Sequence, residues 1–167
     1  MKHVVLIGFM GSGKSTISYK LSYILKRCYI DTDKLIEETN KMTISEMFEK
    51  FGEEYFRNKE NKCLKAIRDE KGERIISVGG GTPLRSENRE VLKQMGTVVY
   101  LRATADTLYK RLKYDKNRPL LQVEDRYGLI KGLLEQRNPI YEECADIIID
   151  IDNKEAEQIM NEIIARL

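Results

Sequence analysis

The chain has 167 residues, and its 29 basic and 27 acidic side chains leave a formal net charge of only +2. This balance lacks the basic footprint of a nucleic-acid-binding protein, and the apolar run VVLIG near the start is too short for a signal peptide or a membrane span. With 41% apolar and 34% charged residues, we expect a single domain over 1–167 with no nucleic-acid or membrane partner.

Apolar runs and helical periodicities alternate along the chain, which predicts an α/β protein. The predicted strands are 2–8, 27–31, 73–81, 96–102 and 146–151. The predicted helices are 14–26, most of 34–70 with a break near Gly52, 87–95, 104–113, a long helix entered through RYGLIKGLLEQRN, and a terminal helix through 156–167. Continuously apolar strands between helices are typical of a parallel sheet covered on both faces, whose ligands lie beyond the carboxyl ends of the strands.

The cysteines carry little functional signal. Cys28, Cys63 and Cys144 form no C-x-x-C or Cys/His pair, so a zinc site is not expected. Free thiols favour a reducing compartment, and we expect a cytoplasmic location.

A glycine-rich segment joins the first strand to the first helix. Residues 8–15, GFMGSGKS, fit the phosphate-loop pattern G-x-x-x-x-G-K-[ST] in the strand–loop–helix context that this motif requires. Its glycines let backbone N–H groups surround phosphate oxygens, Lys14 supplies charge to the β- and γ-phosphates, and the Ser15 hydroxyl can ligate magnesium. The segment therefore predicts binding of a nucleoside triphosphate with Mg²⁺.

Two carboxylates follow the second strand, Asp31 and Asp33. A GTPase-like switch would need an N-K-x-D motif, and an ATPase motor would need an acid after the central strand RIISV; neither is present. Two acids on the second strand favour a kinase, with one acid for the metal's water shell and one for an acceptor hydroxyl. The simpler alternatives are that Asp33 only caps a helix beginning at Lys34 and that Asp31 is a solvated strand end.

Further polar groups suggest an acceptor pocket. Arg57 and Glu60 can pair on a helix, as a surface salt bridge or as part of a site, among aromatic residues expected to be mostly core. The segment GGGTP, residues 79–83, permits close backbone approach to a ligand, although it could also be a helix-start loop. These aromatic residues are Phe48, Phe51, Tyr55 and Phe56, of which one or two could instead line a pocket.

Two more arginines extend this pattern. Arg118 lies in the polar, proline-containing segment 114–125, which predicts a loop, and in a kinase it could close over the transferring phosphoryl group. Arg137, late in the long helix, could instead be a cation at that helix's C-terminus. From charges alone the acceptor could carry a carboxylate or a phosphate, so a nucleoside monophosphate kinase, a gluconate-type kinase and a nucleotide-binding regulatory module remain alternatives.

The motifs GFMGSGKST, DTD, GEEYFRNKE, GGGTP, RPLL and RNPIYEECA occur in the order and spacing of bacterial shikimate kinases. This resemblance, over residues 4 to about 152, implies a three-layer P-loop kinase fold with a five-stranded parallel sheet in the order 2-3-1-4-5, as in nucleoside monophosphate kinases. It implies ATP-dependent phosphorylation of the 3-hydroxyl of shikimate, on the route to chorismate and aromatic amino acids. It also implies Mg²⁺ and a monomer.

The resemblance further implies roles for matched residues. Asp33 binds the acceptor hydroxyls and takes the proton, Lys14 and the lid residue Arg118 act on the phosphates, and Asp31 and Ser15 serve the metal. The nucleotide-binding residues are Gly11, Ser12, Gly13, Lys14, Ser15, Thr16, Arg111 (against adenine) and Arg118. The shikimate-binding residues are Asp33, Phe48, Phe56, Arg57, Glu60 (which holds Arg57), Gly79, Gly80, Gly81 and Arg137. The substrate-binding region is about 32–60 and the lid about 113–124.

Two positions depart from the family pattern. Ser18 stands where glycine is frequent, and Tyr29 stands where phenylalanine is common before D-x-D. Neither residue is expected to touch the chemistry directly.

Overall fold

The computed structural model describes residues 3–167 and contains a five-stranded sheet in the order β2-β3-β1-β4-β5. All four neighbouring strand pairs are parallel. The predicted fold class and strand order are therefore confirmed; Lys2, the first residue of the first predicted strand, lies outside the described residues. The strands are β1 (His3–Ile7), β2 (Cys28–Asp31), β3 (Arg74–Ser77), β4 (Gly96–Arg102) and β5 (Ile147–Asp150).

Helices flank the sheet. The helices are α1 (Lys14–Leu25), α2 (Thr32–Asn40), α3 (Ile44–Phe51), α4 (Glu53–Asp69), α5 (Ser86–Met95), α6 (Ala105–Leu112), α7 (Arg126–Cys144) and α8 (Ala156–Arg166). Helix α1 packs against β2, β3 and α8, whereas α5 packs against β1, β4 and α7. None of the helices in the described range is both long enough and apolar enough to cross a membrane.

The helical stretch predicted for 34–70 contains a second break besides the one at Gly52. Lys41 ends α2 in a left-handed conformation with φ of 51°. Thr43 then starts α3, because its side chain accepts a hydrogen bond from the Glu46 N–H while the Glu46 side chain accepts one from the Thr43 N–H. The two breaks let α2, α3 and α4 pack against one another beside the sheet.

The third strand is shorter than predicted. It ends at Ser77, and after Val78 the three glycines leave the sheet and enter a 3₁₀ turn over Thr82–Leu84. The Thr82 N–H donates to the Gly79 carbonyl at 3.1 Å, which turns the chain away from the strand direction. The glycines thus form a loop beyond the carboxyl edge of the sheet.

Two groups of apolar side chains stabilise these parts. The central core is built on the sheet, where the β1 residues Val5, Leu6 and Ile7 are fully buried. A separate, smaller cluster of Ile36, Met47 and Phe56 joins α2, α3 and α4. The helices that carry the predicted acceptor residues therefore have a local core of their own.

Candidate active site

Strand register places the predicted motifs at one edge of the sheet. Asp31 at the end of β2 is aligned with Ser77 at the end of β3, and Ser77 is aligned with Leu6 of β1, which leads into the phosphate loop. A cavity of about 320 Å³ opens at this edge. It brings together the phosphate loop, both aspartates, the glycine loop and Arg118.

Lys14 lies buried at the start of α1. Gly13, with φ of 89°, adopts the left-handed conformation that turns the loop into the helix. The Lys14 Nζ donates to the carbonyls of Gly8 at 2.8 Å and Phe9 at 3.0 Å. Burial lowers the pKa of Lys14 to about 8, although the Asp33 carboxylate opposes this shift. The cation is thus held over the loop, beside the cavity.

Asp31 caps α2, so the alternative that Asp33 caps a helix beginning at Lys34 is wrong. The Asp31 Oδ1 accepts the backbone N–H groups of Asp33 at 3.1 Å and Lys34 at 3.2 Å. Its other oxygen, Oδ2, accepts the Ser15 hydroxyl at 3.2 Å and the Tyr29 hydroxyl at 3.3 Å. Asp31 is therefore not a solvated strand end, and Tyr29 contacts this candidate site residue through its hydroxyl.

Asp33 differs from Asp31 because its carboxylate is poorly bonded. Its Oδ1 is buried and has no hydrogen-bond partner among the described residues. Burial, followed by the negative charges of Glu60 and Asp31, raises the pKa of Asp33 to about 6, while Lys14 and Arg57 oppose the rise. A carboxyl group with such a pKa can accept a proton near neutral pH.

Arg57 belongs to a buried network, so the surface salt-bridge alternative is wrong. Its Nη1 contacts both carboxylate oxygens of Glu60, at 3.0 and 3.2 Å, and Glu60 is 0% exposed. Glu60 also accepts the Thr82 hydroxyl at 2.6 Å and the Asn88 amide at 3.2 Å. Asn61 donates to Asn88 at 2.8 Å. The network orients the Arg57 guanidinium from beneath.

The sequence analysis did not identify Thr82, Asn61 and Asn88 as members of this buried network. A signal for Asn88 was present, because it lies on the buried stripe of α5 with Val91, Leu92 and Met95. A polar residue at such a position needs buried partners, and those partners lie on α4 and the glycine loop.

Two candidate site side chains lie very close to the backbone of the glycine loop. A Cβ atom at Gly79 would lie 2.9 Å from the Asp33 Oδ1, and a Cβ at Gly81 would overlap the Arg57 guanidinium. The Gly80 carbonyl accepts the buried Tyr141 hydroxyl at 2.6 Å, which ties the loop to α7. Side chains at these glycines would displace two candidate site residues.

Arg137 lies in the interior of α7, which continues to Cys144, so it is not a cation at the C-terminus of that helix. Its guanidinium lies 5.4 Å from the centre of the Phe9 ring. Burial raises the pKa of the neighbouring Tyr141, while the charges of Arg137 and Arg57 both oppose that rise. Two guanidinium groups therefore face one region beside the glycine loop.

The aromatic residues on α3 and α4 are less buried than expected. Phe56 belongs to the small core and is 4% exposed, whereas Phe48 and Phe51 are 37% and 53% exposed. The Phe48 and Phe56 rings are 5.2 Å apart. The expectation that most of them are core is wrong, and Phe48 is free to contact a ligand.

The predicted loop 114–125 contains a 3₁₀ turn at Pro119–Leu121, and its Leu121 side chain is buried. Asp115 organises the loop, because its Oδ1 accepts the backbone N–H of Arg118 at 3.0 Å and its Oδ2 pairs with the Arg118 side chain. Arg118 lines the cavity. Arg111 lies against the phosphate loop and donates to the Gly11 carbonyl at 3.2 Å.

The fold and the site define a P-loop kinase that acts on a small molecule. The family model described as shikimate kinase matches residues 10–167. A shikimate kinase of Thermodesulfovibrio yellowstonii is 43% identical over 98% of this chain and 94% of its own length. The chain belongs to the shikimate kinase family.

Solved structures agree with this assignment. Shikimate kinase from Acinetobacter baumannii, in complex with shikimate, has a TM-score of 0.92 and 37% identity over 99% of this chain and 92% of its own. Shikimate kinase from Aquifex aeolicus has a TM-score of 0.81 and 34% identity over 98% and 94% of the two chains. The monophosphate-kinase and gluconate-kinase alternatives are not favoured.

Proposed function

We propose that the cavity at the carboxyl edge of the sheet holds ATP on the phosphate loop and shikimate beside Asp33, Arg57 and Arg137. The enzyme uses ATP to phosphorylate the 3-hydroxyl of shikimate to shikimate 3-phosphate, in aromatic amino acid biosynthesis. The observation that carries the assignment of roles is Asp33, a buried carboxylate with an unpaired oxygen between the phosphate-loop lysine and an arginine clamp.

The clamp suits a carboxylate-bearing acceptor. Guanidinium groups bind carboxylates through forked, charge-assisted hydrogen bonds. Arg57 on α4 is held by Glu60 through Nη1, and Arg137 lies on α7, so the two cations come from different helices. The substrate-binding region is about 32–60, with Phe48 and Phe56 beside the ring and Gly79, Gly80 and Gly81 offering backbone contacts.

Asp33 is the proposed base. It lies between the Lys14 cation and the acceptor clamp, where it can orient the 3-hydroxyl and receive its proton as the phosphoryl group transfers. Asp33 packs closely against Gly79, which fixes the Asp33 carboxylate and excludes water from that side.

The phosphates are positioned by backbone N–H groups and two cations. Gly11 and Gly13 of the loop and Thr16 in the first turn of α1 line the cavity, and Ser12 lies between the two glycines. Lys14 supplies charge from below and Arg118 from the lid, about 113–124. Arg111, which lies along the loop, is placed to contact the adenine.

Ser15 and Asp31 fit a magnesium ion. Both offer hard oxygen atoms at the mouth of the phosphate loop, and Mg²⁺ is usually held by one or two such groups together with phosphates and water. No cluster of three or more histidine, cysteine or acidic ligands occurs within residues 3–167. When bound with ATP, Mg²⁺ supplies positive charge to the β- and γ-phosphates.

Substrate choice is tested by an ADP-release assay with shikimate, AMP, CMP and gluconate side by side. We expect turnover with shikimate and none with the other three acceptors. Faster turnover with AMP, CMP or gluconate would contradict the proposal. We further propose a cytoplasmic location, since Cys28, Cys63 and Cys144 are free thiols, and a monomer, which the family resemblance implies.

Activity should fall as the pH drops through about 6, because the base form of Asp33 is lost. The measurement is kcat/KM for shikimate at saturating ATP and Mg²⁺ between pH 5 and 8. The Asp31→Asn variant is the matched comparison: removing the Asp31 charge should move the acidic limb to lower pH. A profile that is flat over this range, or a limb that does not move in the variant, would contradict the assignment.

Arg118→Ala should lower kcat at least about tenfold, because it removes a charge directed at the transferring phosphoryl group.

The lid is expected to close on the ligands, since Tyr114, Leu120 and Val123 expose 82%, 47% and 46% of their surface. Amide exchange over 113–124 should therefore slow when ADP and shikimate are added. Equal protection with and without ligands would argue against a lid.

A further inference from the structure

Tyr29 forms part of a small group of hydroxyl and carboxylate side chains at the phosphate loop. On β2, residues two apart share a side of the strand, so Tyr29 lies next to Asp31. The Tyr29 hydroxyl donates to the Asp31 Oδ2 at 3.3 Å, and the Ser15 hydroxyl donates to the same oxygen at 3.2 Å. The Ser15 Oγ also lies 3.4 Å from the Ser77 Oγ.

The two oxygens of Asp31 are used for different purposes. Oδ1 is occupied by the backbone N–H groups at the start of α2, which fixes the carboxyl plane. Oδ2 faces Ser15 and receives two hydroxyl protons. The Ser15 hydroxyl donates to Asp31, so its oxygen can accept from Ser77 and present a lone pair to the cavity. A donor that holds Oδ2 therefore also determines where Ser15 presents its lone pairs.

The Tyr29 ring is itself held in place. Tyr19 on α1 packs edge-on against it, with ring centres 5.8 Å apart and planes at 79°. The Tyr19 hydroxyl and the Tyr23 hydroxyl are hydrogen-bonded at 2.9 Å. Tyr29 is half-buried. Its hydroxyl thus reaches Asp31 from a fixed ring.

We propose that Tyr29 is a positioning residue for the metal side of the site: its hydroxyl fixes the Asp31 Oδ2 and, through it, the Ser15 hydroxyl in the orientation that receives nucleotide-bound magnesium. This inference rests on the proposed role of Asp31 and Ser15. Outer partners of this kind orient ligands without touching the ion. A phenylalanine at this position would keep the ring and lose the orienting bond.

The test is isothermal titration of ADP with and without magnesium, the latter in EDTA. The measured quantity is the ratio of ADP affinity in Mg²⁺ to that in EDTA. Tyr29→Phe should lower this ratio by about threefold to tenfold, because a bond to a charged group is removed. The ADP affinity in EDTA and the KM for shikimate should change less than about twofold, since neither depends on Asp31.

Tyr19→Phe is the matched control, because it removes a hydroxyl from the same aromatic group without touching Asp31. It should leave the ratio unchanged. In an Asp31→Asn background, adding Tyr29→Phe should have no further effect. Thermal melts establish that each variant is folded.

The outcomes separate two failures. If Asp31→Asn leaves the ratio unchanged, the metal-side role of Asp31 is wrong and this inference falls with it. If Asp31→Asn lowers the ratio but Tyr29→Phe does not, or if Tyr19→Phe lowers it equally, only the role of Tyr29 is overturned.

Discussion

Replacing Arg57 with alanine is expected to raise the KM for shikimate by about 30-fold or more, while the KM for ATP changes little. Loss of a charge-assisted hydrogen bond in a water-poor site costs about 2–5 kcal/mol. Arg57 lies on the acceptor side, between the glycine loop and Glu60, and its guanidinium is 5.1 Å from the centre of the Phe56 ring. Its removal should therefore affect the acceptor and not the nucleotide.

Arg57→Ala would also leave Glu60 without its cation. Glu60 is fully buried, and removing one partner of a buried ion pair destabilises a protein by about 3–5 kcal/mol. The double variant Arg57→Ala/Glu60→Gln removes the orphaned charge and should recover much of the melting temperature, but not the shikimate KM. That result would separate substrate binding from folding.

Two further variants complete the experiment. Arg57→Lys should recover only part of the lost affinity, because an ammonium group cannot form a forked contact. Arg85→Ala is the control, since Arg85 lies on the neighbouring surface and bonds to Asn58 at 2.9 Å. It should leave both KM values near those of the wild type. A shikimate KM that is unchanged in Arg57→Ala would show that Arg57 only stabilises the fold.

The sheet and its motifs could be predicted because local patterns determine them. The apolar runs and the spacing of the phosphate-loop glycines can each be recognised within one short segment of the sequence. The strand order came from the resemblance, and the register of Asp31 with Ser77 then follows from parallel pairing. Motifs at strand ends can therefore be assigned to one edge of the sheet before any side-chain contact is known.

The buried polar network could not be predicted in the same way. Glu60, Thr82 and Asn88 come from α4, the glycine loop and α5, so their bonds depend on how three elements pack. Similarly, Asp31 and Asp33 are both good capping residues, and only the backbone decides which carboxylate meets the free N–H groups. The exposure of Phe48 and Phe51 likewise depends on where α3 ends relative to the small core.

The structure assigns the cap to Asp31, which leaves the Asp33 carboxylate without a capping role. Asp33→Asn should lower kcat by about 100-fold or more, because an amide cannot take the proton of the acceptor hydroxyl. The helix start should be unaffected, since the Asp31 Oδ1 still accepts the backbone N–H groups at positions 33 and 34. The measurement is a single-turnover rate at saturating ATP and shikimate.

The same substitution should make the protein more stable above pH 6. The pKa of Asp33 is raised from 3.8 to about 6 in the folded chain, so its ionised form is disfavoured by folding. The cost is absent below about pH 4, grows as the pH rises to about 6 and is constant above, where it is on the order of 1–3 kcal/mol. Melting curves at pH 5 and pH 8 should show a gain for Asp33→Asn that is larger at pH 8.

Asp31→Asn provides the contrast. Asparagine caps helices about as well as aspartate, so stability should change by less than about 1 kcal/mol. Its activity should fall at low magnesium and recover in part with excess metal, because the charge that faces Ser15 is lost. Asp33→Asn should show no such recovery. A magnesium titration of both variants decides the matter: if Asp33→Asn keeps wild-type turnover, or if both variants respond to magnesium alike, the two carboxylates do not divide the work between acceptor and metal.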